Sequence, residues 1–297
     1  MRSRFYRVGT FVLGLALWCQ AGMADPGHQT QLPENPNDLV RDTVRNELNP
    51  PAGDSVYFTW KQRTVKPNRT IVRRMLETPA GLIARVISIN DRPLTPEELR
   101  KEEQRINRLL DPSQMNAKRK EQKDDEDRTR KIVAVLPDAF RYEYAGTEQR
   151  NGQTFVNLKF TPNPRFNPPS RETLVLEGMQ GDMTIDATAK RIAKIDGTMM
   201  KDVSIGWGII GHLDKGGHFY VEQEPVGGGQ WEITKMLLNF NGRALIFKSI
   251  RIDSVDTATD FKKVPKMSVQ EALDLLRKAD SARGQNGGAL AQERKIR

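Results

Sequence analysis

The amino-acid sequence predicts an α+β fold, in which a large curved antiparallel sheet of about eleven strands forms a half-open barrel covered by a few helices. Short strand-like segments recur along the chain and are separated by turn signals such as Asn151-Gly152 and Asn241-Gly242. Apolar residues fall at every second position in several segments, for example at Phe58 and Trp60, and this alternation predicts one apolar face. A sheet of this size must curl or close.

The strand candidates fall into two groups. Three alternating runs with hairpin-like separators come first and predict a meander: Ser55–Val65, Thr70–Thr78 and Gly81–Ile89. The later candidates are Phe140–Ala145, Phe155–Pro162, Met183–Ala187, Arg191–Met200, Val203–Ile210, Phe219–Glu224, Trp231–Phe240 and Ala244–Ile252.

Helical segments interrupt and flank these strands. Asn37 is predicted to cap a short amphipathic helix over Asp38–Leu48. Thr95, followed by Pro96 and by Glu98 three residues later, forms a capping box that opens a long helix. That helix belongs to a charged helical insertion over residues 95–136. A last helix is expected within residues 265–280.

The first 24 residues have the pattern of a cleaved secretory signal. Three arginines precede Val8–Trp18, an apolar run too short to span a bilayer, and small residues end at Ala24. An alternative is lipid modification at Cys19, but bulky Trp18 stands where a lipoprotein signal has a small residue. The expected location is the periplasm of a Gram-negative-type cell, with a mature protein that does not span the membrane.

Five segments follow from these patterns. They are a signal peptide (1–24), a disordered lead (25–36), a half-barrel domain (37–264) that contains the insertion at 95–136, a C-terminal helix (265–280) and a disordered tail (281–297).

Composition narrows the possible functions. The 47 Lys and Arg residues against 38 Asp and Glu give a net charge of +9, spread without a concentrated basic stripe, so we expect no nucleic-acid partner. The single cysteine, Cys19, excludes disulfide scaffolds, thiolate metal sites and cysteine nucleophiles from the remainder of the chain.

Catalytic and metal-binding patterns are weak. No nucleophile elbow, phosphate-binding loop or dinucleotide fingerprint occurs, so we predict a non-enzymatic protein with no catalytic residues and no cofactor. His212, Asp214 and His218 could hold a divalent ion if their loop folded back, but a solvated loop fits the spacing better, and no metal is predicted. Carboxylate pairs such as Asp253 and Asp256 leave a hydrolase as a minor alternative.

The segment Met183–Ile195 reads as a strand ending in Asp186, a turn and a second strand. Together with the signal, the lead helix and the interrupted meander, this hairpin resembles the LolA, LolB and RseB group of periplasmic half-barrel proteins, which includes outer-membrane lipoprotein-sorting proteins. The resemblance covers roughly residues 37–264 and implies a half-open barrel that holds lipid-like or amphipathic ligands. No functional residue carries over, because that group uses diffuse barrel-lining hydrophobes.

The predicted site is therefore an apolar groove in the concave sheet. A dry groove can hold a lipid tail without a polar anchor, since burial of each methylene is worth about 0.8 kcal/mol. The expected ligand is a lipid or a lipoprotein acyl chain, and the expected role is a carrier. The predicted lining residues are Phe58, Trp60, Met75, Val86, Trp207, Phe219 and Trp231.

A second hypothesis treats the protein as an RseB-like regulatory or interaction protein of the cell envelope. The charged helical arm over 99–136 would then contact an envelope protein partner.

Overall fold

A twelve-stranded antiparallel sheet dominates the computed structural model, which describes residues 32–49, 56–205, 211–244 and 248–279. The strands are β1 (Tyr57–Lys66), β2 (Arg69–Thr78), β3 (Gly81–Ile89), β4 (Phe140–Arg150), β5 (Gln153–Pro162), β6 (Met179–Asp186), β7 (Arg191–Met199), β8 (Val203–Ile205), β9 (Gly211–Leu213), β10 (His218–Gly227), β11 (Gln230–Ala244) and β12 (Lys248–Val264).

The sheet is open. Its order is β3-β2-β1-β12-β11-β10-β7-β6-β5-β4, and the short strands β8 and β9 pair beside β11. The terminal strands β3 and β4 do not pair with each other, which confirms the predicted large, unclosed antiparallel sheet.

Helices connect and cover the two ends of the sheet. Between β3 and β4 the chain forms α2 (Pro96–Asn107), a short 3-10 turn (Arg108–Leu110), α3 (Pro112–Ala134) and α4 (Leu136–Ala139). Before the sheet lies α1 (Pro36–Leu48), a second 3-10 helix spans Arg171–Gly178, and α5 covers residues 269–279.

The cap predictions have opposite outcomes. The Thr95 capping box is confirmed, because Thr95 Oγ1 accepts from the Glu98 N–H at 3.3 Å and Glu98 Oε2 accepts from the Thr95 N–H at 2.8 Å. The predicted Asn37 cap is wrong. Asn35 caps α1 instead, with Pro36 at the first helical position, and the Asn37 amide donates to the carbonyl of Pro137 at 3.1 Å.

One face of the sheet, here called the inner face, carries the main core. Cross-strand register places Met236, Leu238, Phe219 and Phe160 on this face, and α1, α4 and the second 3-10 helix pack against it. The buried residues at the centre of this core are Val40, Leu136, Ala139, Phe140, Val156, Leu158, Met183, Ile185 and Met199.

A second core lies on the opposite face of the β2–β3 hairpin. Leu76 and Ile83 pair across the two strands and are fully buried against α2 and α5 by Ile106, Leu273 and Leu276. The buried Arg85 guanidinium on the same face lies 2.6 Å from Glu103 of α2. The first part of the insertion, from α2 to Met115 of α3, therefore forms one packed layer with α5 on this face of the sheet.

Several strand boundaries differ from the sequence prediction. β4, for example, ends at Arg150, five residues later than expected. β6 begins at Met179, four residues earlier than expected. The last strand was predicted to end at Ile252, and β12 continues to Val264. Residues 253–264 contain few apolar side chains and lack the alternation that predicts a strand. They are a strand because they pair with β1 on one side and, in their first part, with β11 on the other.

Candidate functional site

Three of the predicted lining residues meet in one buried aromatic cluster. Trp60 pairs directly with Met75 across β1 and β2, and Phe58 lies two residues from Trp60 on the same face. All three are buried, and Val56, Leu82, Ala84, Val226, Ala258 and Phe261 pack around them. A register shift between Thr59 and Lys61 brings Phe261 of β12 against Trp60, with ring centroids 5.5 Å apart and planes 18° from parallel.

A small cavity of about 220 Å³ lies beside this aromatic pair. Its walls combine apolar and acidic side chains. The lining residues are Trp60, Gln62, Glu232, Ile233, Met236, Asp256, Thr257, Ala258 and Phe261.

A larger cavity of about 890 Å³ lies between α3 and the ends of β1, β2 and β3. Apolar side chains come from the strands, and polar ones come mainly from α3. The lining residues are Val56, Tyr57, Glu77, Thr78, Gly81, Leu82, Gln122, Asp125, Glu126, Thr129, Arg130 and Gln230. Because its two sides differ in polarity, the cavity suits an amphipathic ligand better than a purely apolar one.

Side chains of the insertion bond the open edge of β3. The Gln122 side-chain amide pairs with both backbone groups of Leu82, accepting from its N–H at 3.1 Å and donating to its C=O at 3.0 Å. Glu102 accepts from the Val86 N–H at 2.7 Å, and Arg105 donates to the Ala84 carbonyl. These side chains occupy backbone groups that would otherwise present an edge for pairing with another strand.

The remaining charges of α3 largely neutralise one another. Lys120 lies 2.9 Å from Asp124, Lys123 lies 2.8 Å from Asp127, and Arg128 lies 2.6 Å from Asp125. Met115 is the buried residue of this helix. The helix is therefore supported by its own ion pairs, and its predicted role as a partner-binding arm stays a prediction.

Two carboxylates of the cavity walls have perturbed acidity. Burial raises the pKa of Glu77, and the hydrogen bond from the Phe58 N–H, 2.8 Å long, works in the opposite direction. Burial raises the pKa of Glu232 to about 7, the nearby Glu77 charge adds to this rise, and Arg191 opposes it. Arg191 is itself engaged by Glu47 at 2.8 Å. The charge of Glu77 in the larger cavity therefore raises the pKa of Glu232 in the smaller one.

The other predicted lining residues lie apart from the aromatic cluster. Val86 is half-buried at the β3 edge, and Phe219 packs against the main core. Trp231 is half-buried on β11 opposite Pro225. Trp207 falls in 206–210, outside the described residues.

Of the polar residues that line the two cavities, the sequence analysis named only Asp256, as one of a carboxylate pair, and gave it no role in a binding site. Glu232 adjoins a predicted aromatic residue and shows no alternation of its own, and Gln122 sits within a run of charges. Gln122 is an uncharged residue in that run, which is a weak signal of a buried contact.

His212 and His218 have different acidic neighbours. His218 Nε2 is 2.7 Å from Asp196, and His212 Nε2 lies 3.4 Å from Asp214 and 3.5 Å from Asp202. Within the described ranges, no group of three or more His, Cys, Asp or Glu side chains is arranged to hold a metal ion.

The open antiparallel sheet, its internal helices and the cavities beside its aromatic cluster define a half-barrel protein with space for a small amphipathic molecule. Among the residues described, no helix is both long enough and apolar enough to cross a membrane.

Comparisons with solved structures find chains of low sequence identity to this one. The chain is similar to a DUF1329 family protein from Desulfovibrio piger, with 11% identity, 79% of this chain and 95% of that chain covered, and a TM-score of 0.27. It is also similar to a LolA superfamily protein from Nitrosomonas europaea, with 10% identity, 79% and 96% covered, and a TM-score of 0.26.

A third similar structure is a putative outer membrane lipoprotein-sorting protein domain from Vibrio parahaemolyticus, with 9% identity, 80% and 97% covered, and a TM-score of 0.29. No protein-family profile and no curated protein matches the chain. The open twelve-stranded antiparallel sheet defines the fold class of this chain.

Proposed function

We propose that this protein is an exported, non-enzymatic binding protein of the periplasm that carries a lipid or a lipoprotein acyl chain against the inner face of its sheet. The observation that carries the proposal is the buried cluster of Phe58, Trp60 and Met75 beside two cavities of about 220 and 890 Å³. The larger volume lies in the range of small-molecule sites, roughly 300–1,000 Å³.

The energetics favour an acyl ligand with a polar end. Each methylene buried against apolar walls contributes about 0.8 kcal/mol, so an acyl segment is held without a dedicated anchor. The polar α3 side of the larger cavity would face the ligand's headgroup or aqueous solvent. The segment 1–24, which supports export, lies outside the described residues.

The test is uptake of a fluorescent fatty acid by delipidated protein. Wild type should bind at micromolar ligand concentration, and Trp60→Glu should lose most of this binding, because a carboxylate enters the apolar wall of the small cavity. Leu99→Glu on exposed α2 is the matched control, since Leu99 is 42% exposed, and it should bind like wild type. Circular dichroism checks that each variant is folded.

Absence of uptake by the wild type, or equal uptake by a folded Trp60→Glu variant, would contradict the proposal. Ala258→Phe supplies a second, uncharged variant, because the added ring would fill the small cavity.

A further inference from the structure

The small cavity combines an aromatic wall with two carboxylates. Trp60 and Phe261 stack on one another, and Ile233, Met236 and Ala258 complete the apolar surface. Asp256 and Glu232 add acidic groups to the same walls. With about 220 Å³, the cavity has room for a small organic group and not for a whole lipid.

The two carboxylates differ in how they are satisfied. Asp256 Oδ1 accepts from Thr64 Oγ1 at 2.5 Å and from the Gln62 amide at 3.4 Å. Thr64 also accepts from Arg73 at 3.2 Å, which ties this carboxylate to a cation. Within the part of the chain that the structure describes, the Glu232 carboxylate has no hydrogen bond and no ion pair, although its backbone pairs with Glu224 in the sheet. The half-buried Glu232 carboxylate is therefore the group that a ligand would satisfy.

The residues that line the small cavity favour a positively charged ligand group over a negatively charged one. A carboxylate in apolar surroundings without a partner is costly when ionised, and a cation placed beside it offsets that cost. Aromatic rings also attract organic cations within about 6 Å of the ring centre. An anionic group would be repelled by Glu232, Asp256 and the neighbouring Glu77. The charge of Arg191 lowers the pKa of Glu232, but Arg191 already forms an ion pair with Glu47.

We propose that the small cavity binds an organic ammonium group, the positively charged end of an amphipathic ligand, between the Trp60–Phe261 pair and the Glu232 carboxylate. The inference rests on the proposed function, since the remainder of that ligand would be the hydrophobic chain carried by the protein. It adds a charge preference that apolar burial alone does not supply.

The experiment compares three detergents with the same twelve-carbon chain by isothermal titration calorimetry, below their critical micelle concentrations. The probes are dodecyltrimethylammonium, dodecyl sulfate and dodecyl maltoside. Wild type should bind the cationic probe about tenfold more tightly than the neutral one, and the anionic probe least tightly.

Glu232→Gln, which keeps the shape and removes the charge, should abolish this preference while retaining affinity for dodecyl maltoside. Glu143→Gln, at an exposed position of β4, is the matched control and should behave like wild type. Because glutamine is nearly isosteric with glutamate, we expect the Glu232→Gln variant to fold.

The outcomes separate the two proposals. Failure of all three probes to bind would overturn the proposed function. Equal binding of the three probes, or a cationic preference that survives in Glu232→Gln, would overturn the ammonium site and leave the carrier function standing.

Two further probes identify the source of the ammonium group. Lysophosphatidylcholine presents it on a lipid headgroup, and an acylated dilysine peptide presents it on protein amines. A probe that binds wild type and weakens in Glu232→Gln identifies its class as the source, and failure of both probes to show this dependence would count against the site.

Discussion

The contact between Gln122 and the β3 edge offers the sharpest test of how the insertion is held. Replacing Gln122 by Ala removes two hydrogen bonds to Leu82, each worth about 0.5–1.5 kcal/mol net. Water can replace part of this loss at a half-buried site, and alanine is a slightly better helix former by a few tenths of a kcal/mol. We therefore expect a loss of about 1 kcal/mol in the free energy of unfolding, measured by urea denaturation.

Amide hydrogen exchange localises the effect. In Gln122→Ala the Leu82 N–H should exchange faster, while the Val86 N–H, which is bonded to Glu102, should keep its protection. Gln114→Ala, at an exposed position of the same helix, is the matched control and should change neither quantity. Unchanged exchange at Leu82 in the Gln122 variant would refute the view that α3 protects this edge.

Two further predictions concern the cavity acid and the sheet. The pKa of Glu232 is raised from 4.5 to about 7 in the folded protein, so the free energy of unfolding of the wild type should fall as the pH rises from about 4.5 to 7. Urea denaturation midpoints of Glu232→Gln should change less with pH over this range. Parallel pH profiles of the two proteins would contradict a raised pKa at Glu232. Gly181→Ala places a Cβ 1.9 Å from the Asp196 carbonyl oxygen, so the free energy of unfolding should fall by about 1–3 kcal/mol or more, measured by thermal denaturation. A variant as stable as the wild type would show that β6 and β7 separate easily at this point.

The sequence predicted the local direction of side chains better than contacts between residues far apart in the chain. Alternation correctly placed Phe58 and Trp60 on one face, because a strand fixes side-chain direction by period two. Phe261, which stacks on Trp60, lies in a segment without apolar alternation, and its approach depends on an irregular register between β1 and β12. A register shift of this kind has no local sequence signature.

The predicted groove was harder to delimit for a related reason. Phe219 lies on the inner face as its alternation implies, yet helices cover that part of the face and make it core. Which residues remain beside a cavity is decided by the path of α3, and Gln122 meets Leu82 across 40 residues of chain. Periodicity identifies a face, whereas tertiary packing decides whether that face is filled.

The position of α3 in the chain has a geometric consequence. The two edge strands, β3 and β4, are linked by α2, a 3-10 turn, α3 and α4, and α3 alone has 23 residues and is about 35 Å long at 1.5 Å per residue. A helix cannot stretch without breaking its hydrogen bonds, so the part of α3 after Gln122, which bonds β3, limits how far β3 can lie from the start of β4. One helical turn adds about 5.4 Å along the axis, so inserting or deleting a turn between Gln122 and Ala134 should change the distance between the two edge strands.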